Sequence, residues 1–424
     1  MRRSLFFGVL LVTVAAGLFA RGQRAIQNQP SPSPPPPPPS VLNMWYWDDL
    51  VSSDYRILAR EFEQANPGNK LELSVIPWDD YWTKLQSALA AGAGPDVFWL
   101  NQPNAESYIS AGQVMDLEKW AAAIGFSNFN DRFCKPYMYQ GRHYAVPFMW
   151  DSIVLFYNKA AFDQAGIAYP NETWTWDDYY GAARRLTIKN GDTVSRYGVL
   201  VSGSMQSGAG PFIYQNGAGV YNSDGTRMIL NTPQTREAIQ LQLNMINDGY
   251  APPDQVVSGS SAVDLFTSGL VAMLPMISNE LSFCAKALGQ DLRVAPLPRE
   301  QRQATIYHNI AYAAAANTKQ TEATGKLMAF AASRRAAEIV SKTFTPCYNG
   351  MADLYFNDYQ WAGAHYIPES IDYGFPLPIA NKNAAVLWNL TEDEMNKIYA
   401  KAGRLGVQLA DLENLVNAEL DASK

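Results

Sequence analysis

Between residues 41 and 100 the apolar positions alternate between strand-like and helix-like spacing. Residues 41–45 form a short strand-like run, and Ile57, Leu58 and Phe62 then fall on one helical face until Asn66-Pro67-Gly68 stops the pattern. A second strand is predicted at 71–76. Pro77-Trp78-Asp79-Asp80 opens another helix carrying Leu85, Ala88 and Leu89, and a third strand follows at 96–100. The strands are apolar without alternation, which predicts a parallel sheet covered on both faces by helices.

The alternation resumes further on. Residues 175–186 and 232–246 read as helices, 197–201 and 270–275 as strands, and 321–332, 334–342, 391–405 and 409–420 as helices. No repeat of 20 to 50 residues is visible, which argues against solenoids and propellers.

The first forty residues follow other rules. Arg2 and Arg3 precede an apolar run over 5–20, the arrangement of a secretory signal and short for a membrane span. Residues 1–23 are therefore expected to be a signal peptide or an uncleaved N-terminal anchor. No cysteine follows the run, so it carries no lipid-attachment motif. Residues 24–40 read as a linker, with eight prolines between Pro30 and Pro39 that favour an extended spacer of roughly 30 Å. The folded part begins near Val41, outside the cytoplasmic membrane.

A chain of 424 residues has room for two lobes, and 47% hydrophobic with 17% charged residues is a globular composition. The net charge of -7 provides no basic field for a phosphate backbone, so nucleic acid is not an expected partner. Cys134, Cys284 and Cys347 have neither CxxC spacing nor a neighbouring His, which argues against a metal or redox site; buried free thiols are the default, and one disulfide is open after export. The 11 Trp and 23 Tyr, many beside Asp, Asn or Pro, suggest a stacking surface for a ligand that is half apolar and half polar.

Candidate ligand contacts sit where strands end. Trp47 and Asp48 follow the first strand, Trp78 and Tyr81 the second, and Trp99 and Asn101 the third. Rings cover the C–H face of a sugar and a carboxylate accepts two hydroxyl protons. Asp48 or Asp49 is also placed to cap the following helix. The acid pairs Asp79-Asp80 and Asp177-Asp178 raise a glycoside hydrolase as an alternative. For Thr175-Trp176-Asp177-Asp178 a capping box accounts for the same residues, and no HExxH, GxSxG, P-loop or complete GxGxxG is present.

Three stretches, in order, carry a resemblance. The first is Phe62-Glu63-Gln64-Ala65-Asn66-Pro67 with Leu85-Gln86-Ser87-Ala88-Leu89-Ala90-Ala91-Gly92 and Gly94-Pro95-Asp96-Val97. The second is Tyr139-Gln140-Gly141-Arg142-His143-Tyr144-Ala145-Val146-Pro147, continuing to Tyr157-Asn158-Lys159, and the third is Phe266-Thr267-Ser268-Gly269-Leu270-Val271-Ala272-Met273. From Val41 onward the chain resembles the extracellular solute-binding proteins that serve ABC sugar importers, the group of maltodextrin-binding proteins.

That resemblance implies a non-catalytic, monomeric protein that needs no cofactor or metal and binds a carbohydrate for an ABC permease. The implied fold is α/β and two-lobed, each lobe a mainly parallel sheet flanked by helices, with a hinge between them. The implied N-terminal lobe is 41–150 plus 308–350 and the C-terminal lobe 151–307 plus 351–424, with crossings near Trp150, Ile306 and Cys347. Pro147 matches the family's proline and Asp151 its ligand-contacting acid, with Trp150 beside it. The resemblance also directs Asn216, Asn279, Glu280, Trp361, Tyr373 and Trp388 toward the cleft. Relatives often carry Gly and Trp where this chain reads Ile277-Ser278-Asn279-Glu280. Asp48, Asp151 and Glu280 together would also suit a cation such as an amine, whereas no named cleft residue is basic to hold an anion.

Overall fold

The computed structural model describes residues 40–191, 193–401 and 403–422. The expected signal or anchor at 1–23 and nearly all of the expected linker lie outside them. No described helix is long and apolar enough to cross a membrane.

Strands β1 (Ser40–Tyr46), β2 (Asn69–Val75) and β3 (Val97–Asn101) pair in parallel in the order β2-β1-β3. Between them run helices α1 (Ser52–Ala65) and α2 (Trp78–Ala90), and α3 (Gln102–Ser110) leaves the end of β3. Each turn back is made where the pattern placed it. Gly68, in the turn between α1 and β2, has φ +90°, a left-handed conformation that costs a residue with a Cβ about 1 kcal/mol or more.

The rest of the sheet is built on two long strands, β4 (Ala145–Asn158) and β7 (Thr305–Ala314), with β5 (Thr193–Val199) and β6 (Val271–Ile277) beyond them. β4 pairs antiparallel with β7 over residues 145–152 and then with β6 over 153–157, so this one strand belongs to both halves of the sheet. β7 pairs antiparallel with β3 on its other side, and β5 pairs in parallel with β6. The register slips between Ile310 and Ala311, opposite Pro147, whose missing N–H cannot serve the ladder. Antiparallel pairs run through the middle of the sheet, parallel pairs lie on either side of them, and a short antiparallel strand, Ile188–Asn190, forms the edge beside β5, so the sheet is mixed.

Two hydrophobic cores flank β4. One holds Leu42, Phe62, Trp99, Val154 and Phe156, and the other Ile153, Leu155, Tyr179, Phe212 and Leu409, as strand alternation requires. Tyr355, Phe356 and Ile367 pack with the first core. Cys134, Cys284 and Cys347 are all buried free thiols.

The expected helix at 391–405 is displaced. Helix α4 spans Ala384–Ala400 and α5 spans Leu405–Ala422. Thr391, which reads as a start signal, lies inside α4 and donates its hydroxyl to the Leu387 carbonyl at 2.7 Å, one turn earlier.

Candidate ligand-binding cleft

The carboxyl ends of β1, β2, β3 and β6 open onto one cavity of about 670 Å³, where parallel sheets commonly take ligands. Trp47 and Asp48 follow β1, Trp78, Asp79, Trp82 and Thr83 come from α2, and Trp99 and Asn101 from β3. Met149 and Asp151 of β4, His308 and Ile310 of β7, and Ile277, Asn279 and Glu280 after β6 form the floor and far side. Gln206 and, from α4, Ala385, Trp388 and Asn389 also line it.

Periodicity decides which side chains reach it. Met149 and Asp151 are two apart on β4, so Trp150 points to the opposite face, where it stacks on Phe133 at 5.8 Å between ring centres. On α2 the pairs Trp78/Trp82 and Asp79/Thr83 are each four apart and share the cavity face. Tyr81, Leu85 and Leu89 take the buried face. The Tyr81 hydroxyl donates to the Trp99 carbonyl at 2.9 Å, so this expected contact is a core residue holding β3.

The wall is aromatic. Trp47 meets Trp78, Trp82 and Trp99 with ring centres 5.3, 5.8 and 4.7 Å apart, mostly edge to face. Behind it the Trp99 Nε1 donates to the Tyr55 hydroxyl at 2.7 Å, which in turn donates to Tyr312 at 2.9 Å. This buried chain fixes the ring plane.

Asp151 and His308 are directly opposed across β4 and β7, and the His308 Nδ1 lies 3.1 Å from the Asp151 Oδ2. Gln206 donates Nε2 to the other Asp151 oxygen at 3.3 Å. Asp48 serves two ends, lining the cavity while its Oδ1 accepts from the Leu50 amide at 2.9 Å as a helix cap. Burial raises its pKa, and the Leu50 N–H opposes the shift. The Glu280 carboxyl is raised by burial first and then by the charges of Asp48 and Asp151, which brings three acids into one field.

Four buried side-chain polar atoms among the described residues have no hydrogen-bond partner, and two of them, Trp82 Nε1 and Asn279 Oδ1, belong to residues of this cavity. One is a donor and one an acceptor. Asn101 lines the cavity too, although its Oδ1 is engaged by the Asn104 side chain at 2.8 Å.

Five expected contacts lie elsewhere. Trp150 and Tyr81 are in the core, and Asn216 is buried in bonds to the Gln234 carbonyl, Glu237 and Gln301. Trp361 lines a separate apolar groove with Leu50 and Phe283, under the Arg293 guanidinium at 5.6 Å. Tyr373 also departs from the cleft and lines a third cavity with Glu172 and His365. Sequence reading passed over Trp82, Met149, Gln206 and His308. The helical spacing from Trp78 signals Trp82 and the alternation from Asp151 signals Met149, whereas His308 and Gln206 meet the site only through long-range pairing.

Residues 45–338 match the family described as bacterial extracellular solute-binding protein. The chain belongs to that family. A Brucella abortus binding protein is 25% identical over 363 residues, covering 83% of this chain and 86% of that one. A diacetylchitobiose binding protein of Streptomyces coelicolor is 21% identical over 272 residues, 63% of this chain and 62% of its own. An ABC substrate-binding protein of Listeria monocytogenes, solved with cycloalternan, superposes with a TM-score of 0.83 at 24% identity over 90% of this chain and 99% of that chain, a likeness of fold. That shared fold is the two-lobed one that the resemblance implied.

Proposed function

We propose that this chain binds a carbohydrate in the aromatic cavity, does not turn it over, and presents it as a monomer to an ABC importer outside the cytoplasmic membrane. The observation that carries the reading is the pairing of a tryptophan wall with one buried unpartnered donor, Trp82 Nε1, and one buried unpartnered acceptor, Asn279 Oδ1. A sugar hydroxyl both donates and accepts, and a sugar ring offers a flat C–H face to Trp47, Trp78 and Trp82. Trp47, Asp48, Trp78, Asn101, Asp151, Asn279, Glu280 and Trp388 are the contacts carried forward from the sequence, joined by Trp82, Gln206 and His308. Family membership and the diacetylchitobiose-binding relative support the same ligand class. The lobe limits implied by the resemblance put Asp151 and Thr305 beside the hinge, where β4 changes partner, so that closure would bring Gln206 and α4 onto a ligand held by the tryptophans.

Two of the four acids suspected of hydrolysis have structural work, and Asp79 lines the cavity. Asp178 completes the capping box of the helix Trp176–Leu186 with Thr175, and Asp80 pairs with Lys84 at 2.9 Å on the surface. The test is a thermal-shift screen of the purified full-length chain against mono- and oligosaccharides, polyols and amines, with chromatography of each ligand afterwards. A ligand at 100 times its Kd stabilises the fold by about 2.7 kcal/mol. A carbohydrate that shifts the midpoint and is recovered unchanged is the expected result. A cleaved carbohydrate would make the chain a hydrolase, and no shift with any carbohydrate or polyol would end the reading.

A further inference from the structure

The cavity is charged with one sign. Asp48, Asp79, Asp151 and Glu280 line it, and no lysine or arginine is among the described residues that do. His308 is committed to Asp151. Glu280 has no hydrogen-bonded or ion-paired partner among the described residues, and the charges acting on it are those of Asp48 and Asp151. Partly buried carboxylates that repel one another without a cation are costly, and an opposite charge delivered by a ligand relieves that cost. No group of three His, Cys, Asp or Glu side chains among the described residues is placed to hold a metal ion, which turns the choice to an organic cation.

The rest of the wall favours the same class. The faces of Trp47, Trp78, Trp82 and Trp388 attract cations as well as C–H surfaces. The Asn279 Oδ1 is one more acceptor close to Glu280, suited to an ammonium with three N–H donors. An anionic sugar would meet four like charges.

We propose that the ligand is an aminated carbohydrate, a sugar or cyclitol whose protonated amine sits among Asp48, Asp151 and Glu280 while its ring lies on the tryptophans. This rests on the carbohydrate reading above and narrows it. The carboxylates set the choice between a charged and a neutral ligand of the same shape, and the tryptophans hold either.

The test uses the purified full-length chain and calorimetric titration at a pH where the amine is protonated. The probes are glucose, glucosamine and N-acetylglucosamine, their β-1,4-linked disaccharides, and a polyamine, spermidine, as a cation that is no sugar. Within each set only the C2 substituent changes. The expected result is that the free amine binds at least tenfold more tightly than its hydroxyl and acetamido counterparts. That preference should shrink at high salt and fall at least fivefold in Glu280→Gln and Asp48→Asn, which keep shape and, at Asp48, a capping oxygen. Equal or tighter binding of the neutral sugars overturns the inference and leaves the carbohydrate reading standing. Binding of spermidine alone would end the carbohydrate reading, and with it an aminated sugar, while keeping the cation site. Binding of none of the probes overturns the inference, and the carbohydrate reading then stands or falls on the wider screen above. A preference for the amine that survives both substitutions overturns the role given to the carboxylates.

Discussion

Replacing Glu392 by Gln should remove a pH dependence of stability that this one carboxyl imposes. Glu392 lies on the inner side of α4, where its Oε1 accepts the Met205 amide at 2.7 Å. Burial raises its pKa to about 7, against an ordinary value of 4.5, with the Met205 N–H and the Ser204 hydroxyl opposing the shift. A raised acid binds its proton more tightly in the folded state, so its contribution to stability is greatest at low pH. That contribution is lost as the pH climbs from 4.5 to about 7, and is level beyond. At roughly 1.4 kcal/mol per unit the full effect is at most about 3 kcal/mol, an upper bound because the side chain is only partly buried. Gln keeps an oxygen for the Met205 amide and has no charge to desolvate. Urea unfolding of both proteins at intervals from pH 4.5 to 8.5 should show equal stability at the acid end. By pH 8 the variant should be the more stable by about 1–3 kcal/mol. A difference that stays flat across that range would refute the reasoning. The matter bears on the site because Ser204 accepts the amides of Gln206 and Ser207, and Gln206 reaches Asp151.

Three other outcomes are expected. Trp82→Phe keeps a ring on the wall but removes the unpartnered Nε1 donor, so carbohydrate affinity measured by calorimetry should fall roughly fivefold, about 1 kcal/mol, while the ligand-free protein melts no lower. Tyr55→Phe leaves the buried Trp99 Nε1 without its acceptor and should cost about 1–3 kcal/mol in urea unfolding. Trp361→Ala and Tyr373→Phe, both outside the cavity, should leave ligand affinity within a factor of two; a tenfold loss in either would show that the cleft extends beyond the walls described above.

The sequence by itself determined the local order. The strand and helix succession from β1 to β3, the stop at Asn66-Pro67-Gly68 and the capping box at Thr175 follow from side-chain periodicity and turn chemistry, which act over a few residues. The same logic put Trp47, Asp48, Trp78 and Asn101 at strand ends, and a parallel sheet carries strand ends to one rim. Trp150 and Tyr81 were expected at the cleft and lie in the core, because alternation on β4 and the 3.6-residue turn of α2 send them away from their neighbours' face. Thr391 shows the limit of local signals, since a hydroxyl that caps a helix start bonds equally well inside one. What only the tertiary structure decided is who stands opposite whom. His308 faces Asp151 through a pairing across 157 positions, and Gln206 reaches Asp151 from a turn whose Met205 amide is held by Glu392 of α4, 187 residues further on. Those meetings depend on register and on the packing of α4, quantities set by the whole sheet rather than by any stretch of chain.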